Sequence, residues 1–467
     1  MKTSFRRTLG VLILCVACFI AGLSIPKLRQ SVSITNQEKF NAVYKTLTQD
    51  WYFANQVDNL DERLMEQSII GMTTLEEDAH TNYFSIDEAK KFADSLKGSI
   101  VGVGFSYYIN TDKNVVLTAV YINSPADDAG LKVGDELTQI GNMKCADHDM
   151  EDIIQYIQSS EGEKLNVNFL RDEKKKMVQV IPSEFDSTVA LEIFDDYAIV
   201  ELNSFSEQSG EDFAEAVNRI EQAGVTKMIL DLRDNTGGYL QAAVDIASSL
   251  IPEGSIVLQE EFADDSISKS KTNKEYQQVK MDRILVLQNE NTASASEALI
   301  GALQDNLGDV VTLMGTTTYG KGTEQMQMPF ADGTSLKYTV ALWLTPKGKS
   351  INEKGFKPDI EVEESLVESV GYYDWKDDDV INADTVNDNA QALQVYLTYL
   401  GYTCDREDAY FSPESSEQLK KYQEEHDLEA TGSCDKKTWD QITKDVLNKM
   451  NAEHLDTQLT KAIDILK

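Results

Sequence analysis

A chain of 467 residues exceeds what one hydrophobic core organises, so roughly two to four domains are expected. With 41% hydrophobic residues, each of them can bury a core. The formal net charge of −36 repels nucleic acid and anionic headgroups, which excludes both as natural partners and leaves solubility as the plain role of so acidic a surface.

Residues 1–30 place Lys2, Arg6 and Arg7 ahead of an apolar run from Leu9 to Ile25. This layout predicts a signal or membrane anchor. The run is long for a signal-peptide core and lacks a small-x-small cleavage site, so an uncleaved single-pass anchor is expected, with the rest of the chain outside the cytoplasm. A cleaved signal is the alternative. Cys15 and Cys18 in this run read as packing residues. Cys145, Cys404 and Cys434 lack metal-ligand spacing, which argues against a zinc site. A Cys404–Cys434 bond and two free thiols both stay open.

From residue 31 to 98 apolar positions such as Phe40, Val43 and Leu47 recur at intervals of three and four, predicting an amphipathic helical arm. From residue 99 to 183 the pattern shortens. SIVGVGFSYYI and NVVLTAVYI read as strands joined by a turn, and a glycine-rich loop, Gly102-Val103-Gly104-Phe105, precedes SPADDAGLKVGDELTQIG at Ser124 to Gly141. These segments, with a helix near Met150 to Ser159, resemble a PDZ domain. The resemblance implies that the loop's N–H groups capture a terminal carboxylate while the peptide adds a strand alongside. Glycine suits such a loop because close backbone approach and positive φ both exclude a Cβ.

Between residues 184 and 365 strands alternate with helices: YAIVELNSF, EDFAEAVNRIEQAG, KMILDLRDNTGG, a further helix, and RILVLQNEN. Alternation of this kind predicts a mainly parallel sheet whose functional groups gather at the carboxyl ends of its strands. Two turns fall there, Asn235 to Gly238 and Asn289 to Ser296. In the second, Ser294 and Glu297 fit a capping box, making Ser294 the N-cap and placing Ser296 in the first helical turn. A hydroxyl there meets free N–H groups and a favourable helix dipole, which suits a nucleophile whose oxyanion the Glu297 N–H would hold.

Such a serine needs a base. The four histidines, His80, His148, His426 and His454, all lie outside residues 185–365, so a Ser-His-Asp triad within this domain is impossible. The segment GTTTYGKGTEQ supplies Lys321 instead. Gly315, Gly320 and Lys321 also have the spacing of a phosphate loop, but Gly322 stands where a Ser or Thr must bind magnesium, and the sequence beyond reads as a hairpin, not a helix. As a base, Lys321 must shed its proton near neutrality, which needs about 4 kcal/mol of desolvation against the charged form. Its glycine neighbours allow entry to a dry pocket, and on an extended strand Thr323 and Gln325 share its face while Glu324 points away.

SASE, GKGTEQ, DLRDNTGG and LTPKGKSINEKGFKPDIEV, with EDAHTNYFS upstream, together resemble the serine–lysine carboxyl-terminal processing peptidases, in which a PDZ domain precedes the catalytic core. Matched residue by residue, the resemblance implies Ser296 as nucleophile, Lys321 as base, Gln325 as the residue positioning the lysine, and backbone N–H groups of Glu297 and of Gly237 or Gly238 as the oxyanion hole. Thr236 stands where the family commonly has proline, leaving open which glycine donates. Arg171 matches a basic residue that couples a loaded PDZ domain to the active site in some relatives. The resemblance also implies a homodimer and neither metal nor cofactor.

Residues 366–385 form an acidic linker. Residues 386–445, with ALQVYLTYLGY, YFSPESSEQLKKYQ and ATGSCDKKTW, resemble a small helical peptidoglycan-binding domain; a generic helical adaptor is the alternative. Residues 446–467 predict a terminal helix without an assigned role. The expected fold is multidomain α+β: a helical arm, a β-rich PDZ module, an α/β peptidase core with a mainly parallel sheet, and an all-α C-terminal domain. The expected activity is an extracytoplasmic serine endopeptidase acting on proteins through their carboxyl termini. Its rivals are a non-catalytic scaffold that binds carboxyl termini at the cell wall and a nucleotide hydrolase.

Overall fold

A computed structural model describes residues 34–110, 112–370, 379–453 and 455–467. The expected anchor, Cys15, Cys18, His454 and the middle of the acidic linker lie outside these residues. The chain divides into two compact units, Met1–Tyr83 and Phe84–Lys467.

In the first unit, α1 (Asn36–Gln49) starts at a capping box in which Thr35 and Glu38 satisfy each other's backbone N–H groups, and α2 (Leu60–Thr73) follows. Neither helix contains a buried residue. Phe40, Val43, Trp51, Tyr52 and Phe53 are exposed. No described helix is long and apolar enough to cross a membrane.

The second unit opens with α3 (Ile86–Lys97) and a narrow ribbon of β1 (Ser99–Gly102) paired antiparallel with β7 (Ser183–Asp186). Between the two ribbon strands lies an antiparallel sheet in the order β2 (Phe105–Ile109), β3 (Val115–Val120), β4 (Glu136–Ile140), β5 (Leu165–Arg171), β6 (Lys174–Val180). The short α4 (Pro125–Asp128) and α5 (Met150–Ser159) pack with it around Leu117, Leu137, Ile140, Ile153 and Phe169.

The core sheet runs in chain order: β8 (Val189–Ile193), β9 (Ala198–Leu202), β10 (Lys227–Asp231), β13 (Arg283–Gln288), β14 (Val311–Gly315) and β17 (Ile360–Glu361). All pairings after β8–β9 are parallel. The crossovers carry α6 (Ser209–Gln222), α7 (Leu240–Ser248) and α8 (Ala295–Leu307) onto one face. Period-two alternation separates the two faces. Met228, Leu230, Ile284 and Val286 join the crossover helices, while Ile229, Leu285, Leu287 and Met314 join Ala462 and Leu466. The last two residues belong to α13 (Thr457–Leu466), so the terminal helix is the cover of the sheet's second face. It is fastened there by Lys227 Nζ, which donates to the Leu466 carbonyl at 2.6 Å.

A second, antiparallel layer contains β11 (Ile256–Phe262) between β12 (Ile267–Lys271) and β16 (Ser335–Leu344), and β15 (Thr323–Pro329) forms a hairpin with β16. After β17 and the short α9 (Leu366–Ser369), the helices α10 (Asp388–Leu400), α11 (Pro413–Glu425) and α12 (Lys436–Glu453) surround Leu393, Tyr396, Leu397, Leu419, Tyr422 and Trp439. Helix α12 continues through residue 445, where the domain was expected to end. Cys404 and Cys434 are free thiols.

Candidate active site

The two turns singled out by sequence meet at the carboxyl ends of β10 and β13 and are laced together. Asn289 Oδ1 accepts the Asp234 N–H at 3.0 Å, Thr292 Oγ1 donates to the Leu232 carbonyl at 2.8 Å, and the Asn235 carbonyl accepts the Ala293 N–H at 3.0 Å. Gly237 has φ +100, and a Cβ on it would stand 2.8 Å from Ser294 Cβ and 2.9 Å from Ala295 N. Only a glycine lets the first turn press against the start of α8.

The two serines at that helix start are in opposite situations. Ser296 is 0% exposed, and its hydroxyl donates to the Asn235 carbonyl at 2.9 Å. The Ser296 hydroxyl, expected as the nucleophile, points inward and laces the two turns. Ser294 is half-buried and has φ 58 and ψ −116, far outside the left-handed helical well and rarely adopted by a residue with a Cβ. A serine on a sharp, strained strand-to-helix turn is the backbone device that pushes a nucleophilic hydroxyl out at the head of a helix.

Glu297, also 0% exposed, connects this turn to the lysine loop. Its Oε2 accepts the Ser294 N–H at 3.0 Å and the Lys321 N–H at 2.8 Å. Its Oε1 accepts the Gly320 N–H at 2.7 Å and the Thr318 hydroxyl at 2.6 Å. One carboxylate oxygen thus sets the Ser294 and Lys321 backbones side by side. Burial nevertheless pushes the Glu297 pKa up, the four donors opposing.

The lysine is fixed from its other side as well. Its carbonyl accepts the Trp343 indole N–H at 3.0 Å, and Gly322 N–H donates to Asn352 Oδ1 at 3.0 Å. Gly320 has φ +88 and packs within 2.8 Å of the Lys354 and Gly355 nitrogens, measured from where a Cβ would sit. Burial holds the Lys321 pKa below its ordinary value, the Lys337 charge adds to the effect, and Glu297 works against it. No hydrogen bond joins Lys321 Nζ to either serine among the described residues. After β14 the chain passes through this loop into the strand β15, with no helix to cradle phosphates, so the nucleotide reading fails on geometry.

Gln325 was expected against the lysine. Its amide instead donates to Thr323 Oγ1 at 2.9 Å and Thr339 Oγ1 at 3.3 Å, because i and i+2 share a face of β15 and Thr339 is the cross-strand partner. The Gly237 N–H, expected as an oxyanion donor, is taken by Asn235 Oδ1 at 2.9 Å. The N–H groups of Gly238 and Ala295 have no acceptor among the described residues, while the Glu297 N–H faces the Ser294 side chain in a capping box.

In the PDZ module the carbonyls of Val103 and Gly104 point inward, accepting the Ala126 N–H at 2.7 Å and the Tyr121 N–H at 3.1 Å, while their own N–H groups have no acceptor among the described residues. Val103 is buried in the module's core and Phe105 packs against it. Gly102 leads into the loop as the last residue of β1. Arg171 was expected to signal outward. It forms a two-pronged ion pair with the buried Asp135, both contacts 2.6 Å, and donates to the Gly130 carbonyl, so its fork is spent within the module. Contacts that cross to the core include Arg219 with Asp127 at 2.9 Å, Asn123 with Asp212 at 2.6 Å, and the Ile122 N–H, which donates to the Val189 carbonyl at 2.9 Å. Burial pushes the Asp212 pKa up to about 6.

A half-buried serine on a strained turn, a half-desolvated lysine and unengaged backbone donors gather at the carboxyl edge of a parallel sheet, the layout of a serine hydrolase site. Residues 196–362 match peptidase family S41, residues 116–171 a PDZ domain, and residues 386–442 a peptidoglycan binding domain. The chain is 29% identical over 437 residues to a "Probable CtpA-like serine protease" of Staphylococcus haemolyticus, covering 92% of this chain and 85% of that one. A protein of the same name from Staphylococcus aureus (strain COL) is 28% identical over 461 residues, covering 98% and 91%. Among solved structures, the photosystem II D1 C-terminal processing protease is similar over 72% of this chain and 95% of its own, with 21% identity and a TM-score of 0.40. The chain carries a peptidase family S41 domain, a PDZ domain and a peptidoglycan binding domain, and it is a serine peptidase similar to the CtpA-like serine proteases.

Proposed function

We propose that this peptidase works with a serine–lysine dyad formed by Ser294 and Lys321. The observation that carries the reading is the single Glu297 oxygen that holds the backbones of both residues. Ser294 Oγ attacks the peptide carbonyl, the neutral Lys321 amine takes its proton and passes it to the leaving amine, and water then releases the acyl group by the same route. The free N–H groups of Ala295 and Gly238 are the candidate oxyanion donors, one from each turn. Ser296 and Gln325 maintain the site's framework.

The PDZ loop, Gly102 to Phe105, would capture substrate carboxyl termini, and the C-terminal domain would hold glycan of the cell wall. The basic-apolar pattern of residues 1–30 supports tethering to a membrane with the catalytic part extracytoplasmic. The exposed aromatic side chains of the first unit support pairing of that arm with a second copy of the chain.

Incubation of the purified chain with a denatured acceptor protein tests the dyad. Ser294→Ala and Lys321→Ala are expected to lose at least about a thousandfold in rate. Ser296→Ala is expected to stay within a few-fold, having lost one hydrogen bond worth about 1 kcal/mol. An inactive Ser296→Ala beside an active Ser294→Ala returns the nucleophile to Ser296. Equal cleavage by all four proteins refutes the dyad altogether.

A further inference from the structure

Strand β2 is the outer strand of the PDZ sheet, so one side of its backbone is open to an added strand. Its hairpin with β3 fixes which groups face that side. The Asn110 N–H donates inward to the Asn114 carbonyl at 3.1 Å, and alternation then turns the Ile109 N–H outward. That outward N–H is not free. It donates to Asn448 Oδ1 at 3.1 Å, a side chain from α12 of the C-terminal domain more than three hundred positions along the chain.

We propose that Asn448 sets the length of the peptide tail that the PDZ groove admits, by occupying edge backbone that a longer tail would pair with. The inference rests on the reading that this module binds carboxyl termini by strand addition beside β2. A tail anchored at the Gly102–Phe105 loop runs back along β2 toward Ile109. Ile109 lies four positions beyond Phe105, about 13 Å of strand. A tail of about three residues is accommodated before α12 is reached. A longer one must take the Ile109 N–H from Asn448, and the carboxamide oxygen already makes the bond that an incoming peptide carbonyl would make.

The helix cannot yield this position alone. Ile442 and Val446 are buried in the C-terminal core, Lys449 Nζ donates to the Tyr399 carbonyl at 2.6 Å, and the Tyr399 hydroxyl donates to Glu453 at 2.8 Å. The domain is fastened to the strap after β17 by the Tyr396 hydroxyl, which donates to the Val370 carbonyl at 2.9 Å. Access to the far end of the groove is therefore tied to the seating of the whole helical domain.

The test uses the full chain and its Asn448→Ala variant, which keeps a good helix former on α12. Two fluorescent probes share the terminal residues Leu-Ala-Val. One is the tripeptide; the other adds Gly-Ser-Gly-Ser-Gly upstream, which offers little beyond backbone. Anisotropy titrations should show the two binding alike to the wild type. In Asn448→Ala the longer probe should gain about fivefold and the tripeptide should not change. Hydrogen exchange at Ile109 should accelerate in the variant and slow again with the longer probe. Both probes binding with the same ratio to both proteins overturns the inference alone. Neither probe binding either protein, while Ile109 exchange still responds to the substitution, overturns the carboxyl-terminus reading and this inference with it.

Discussion

Two regions of the molecule offer backbone N–H groups to an incoming chain, and they are kept in opposite states. At the catalytic turns the N–H groups of Gly238 and Ala295 have no acceptor among the described residues and lie beside a strained serine, on backbone pinned by buried side chains. At the PDZ edge the Ile109 N–H is already taken by a side chain of another domain. The first arrangement needs no reorganisation when charge develops, which is what an oxyanion site requires. The second makes a ligand compete for its place, which is how selectivity is obtained without losing stability in the free protein. Rigid donors belong to chemistry, and occupied ones to choice.

The contrast can be broken most severely at Glu297. Replacing it with alanine orphans four donors, each costing about 1–3 kcal/mol if left dry, and unties the Ser294 turn from the Lys321 loop. Thermal melts should show a clear loss of stability, and kcat/KM should fall about a hundredfold or more from misplacement alone. Tripeptide affinity at the PDZ module should stay as it was. An active Glu297→Ala enzyme would show that the catalytic turns do not depend on the clamp.

The PDZ side is broken at Gly104. Its φ of +90 and the 2.1 Å gap between an added Cβ and Ser124 Cβ leave no room for a side chain. Gly104→Val should weaken peptide binding by tenfold or more in the anisotropy assay, while cleavage of a short peptide too small to bridge both sites stays within about threefold. Equal loss of both activities would mean that the two regions are not separable.

The smallest expected effect sharpens the catalytic side. Burial, and after it the Lys337 charge, hold the Lys321 pKa down. The neutral amine is the active base, so kcat/KM climbs as pH rises through that pKa. Lys337→Met removes the neighbouring charge, lets the pKa rise, and should move the climb to higher pH with the plateau kept. A pH–rate profile that does not move would remove Lys321 from the role of base.

Much of this organisation was legible in the sequence because it is written locally. The alternation of strands and helices from Tyr197 to Gly315 carries its own period, and Gly322 directly after Lys321, with a hairpin pattern beyond it, is enough to exclude a phosphate loop. What was not legible depends on partners distant in the chain. Both serines of SASE satisfy the pattern of a helix start; the burial of Ser296 against the Asn235 carbonyl and the strain at Ser294 arise only when two turns meet. No glycine marks the strained position, so the dihedral angle left no trace in composition. Gln325 and Arg171 went to nearby threonines and to Asp135 for the same reason: a polar side chain bonds the nearest suitable group, and distance in space is not written in the sequence. The terminal segment was legible as a helix, yet nothing in it could tell that the second face of the core sheet, contributed by strands far earlier in the chain, is what Ala462 and Leu466 cover.

The ribbon of β1 and β7 brings the entrance and exit of the PDZ module together within one four-residue ladder. A module joined in this way is a cassette, since its two ends meet at one seam and the strand order of the catalytic sheet is the same with or without it. The reading head could be replaced by another of equal end-to-end span while the cutting edge is left as it is.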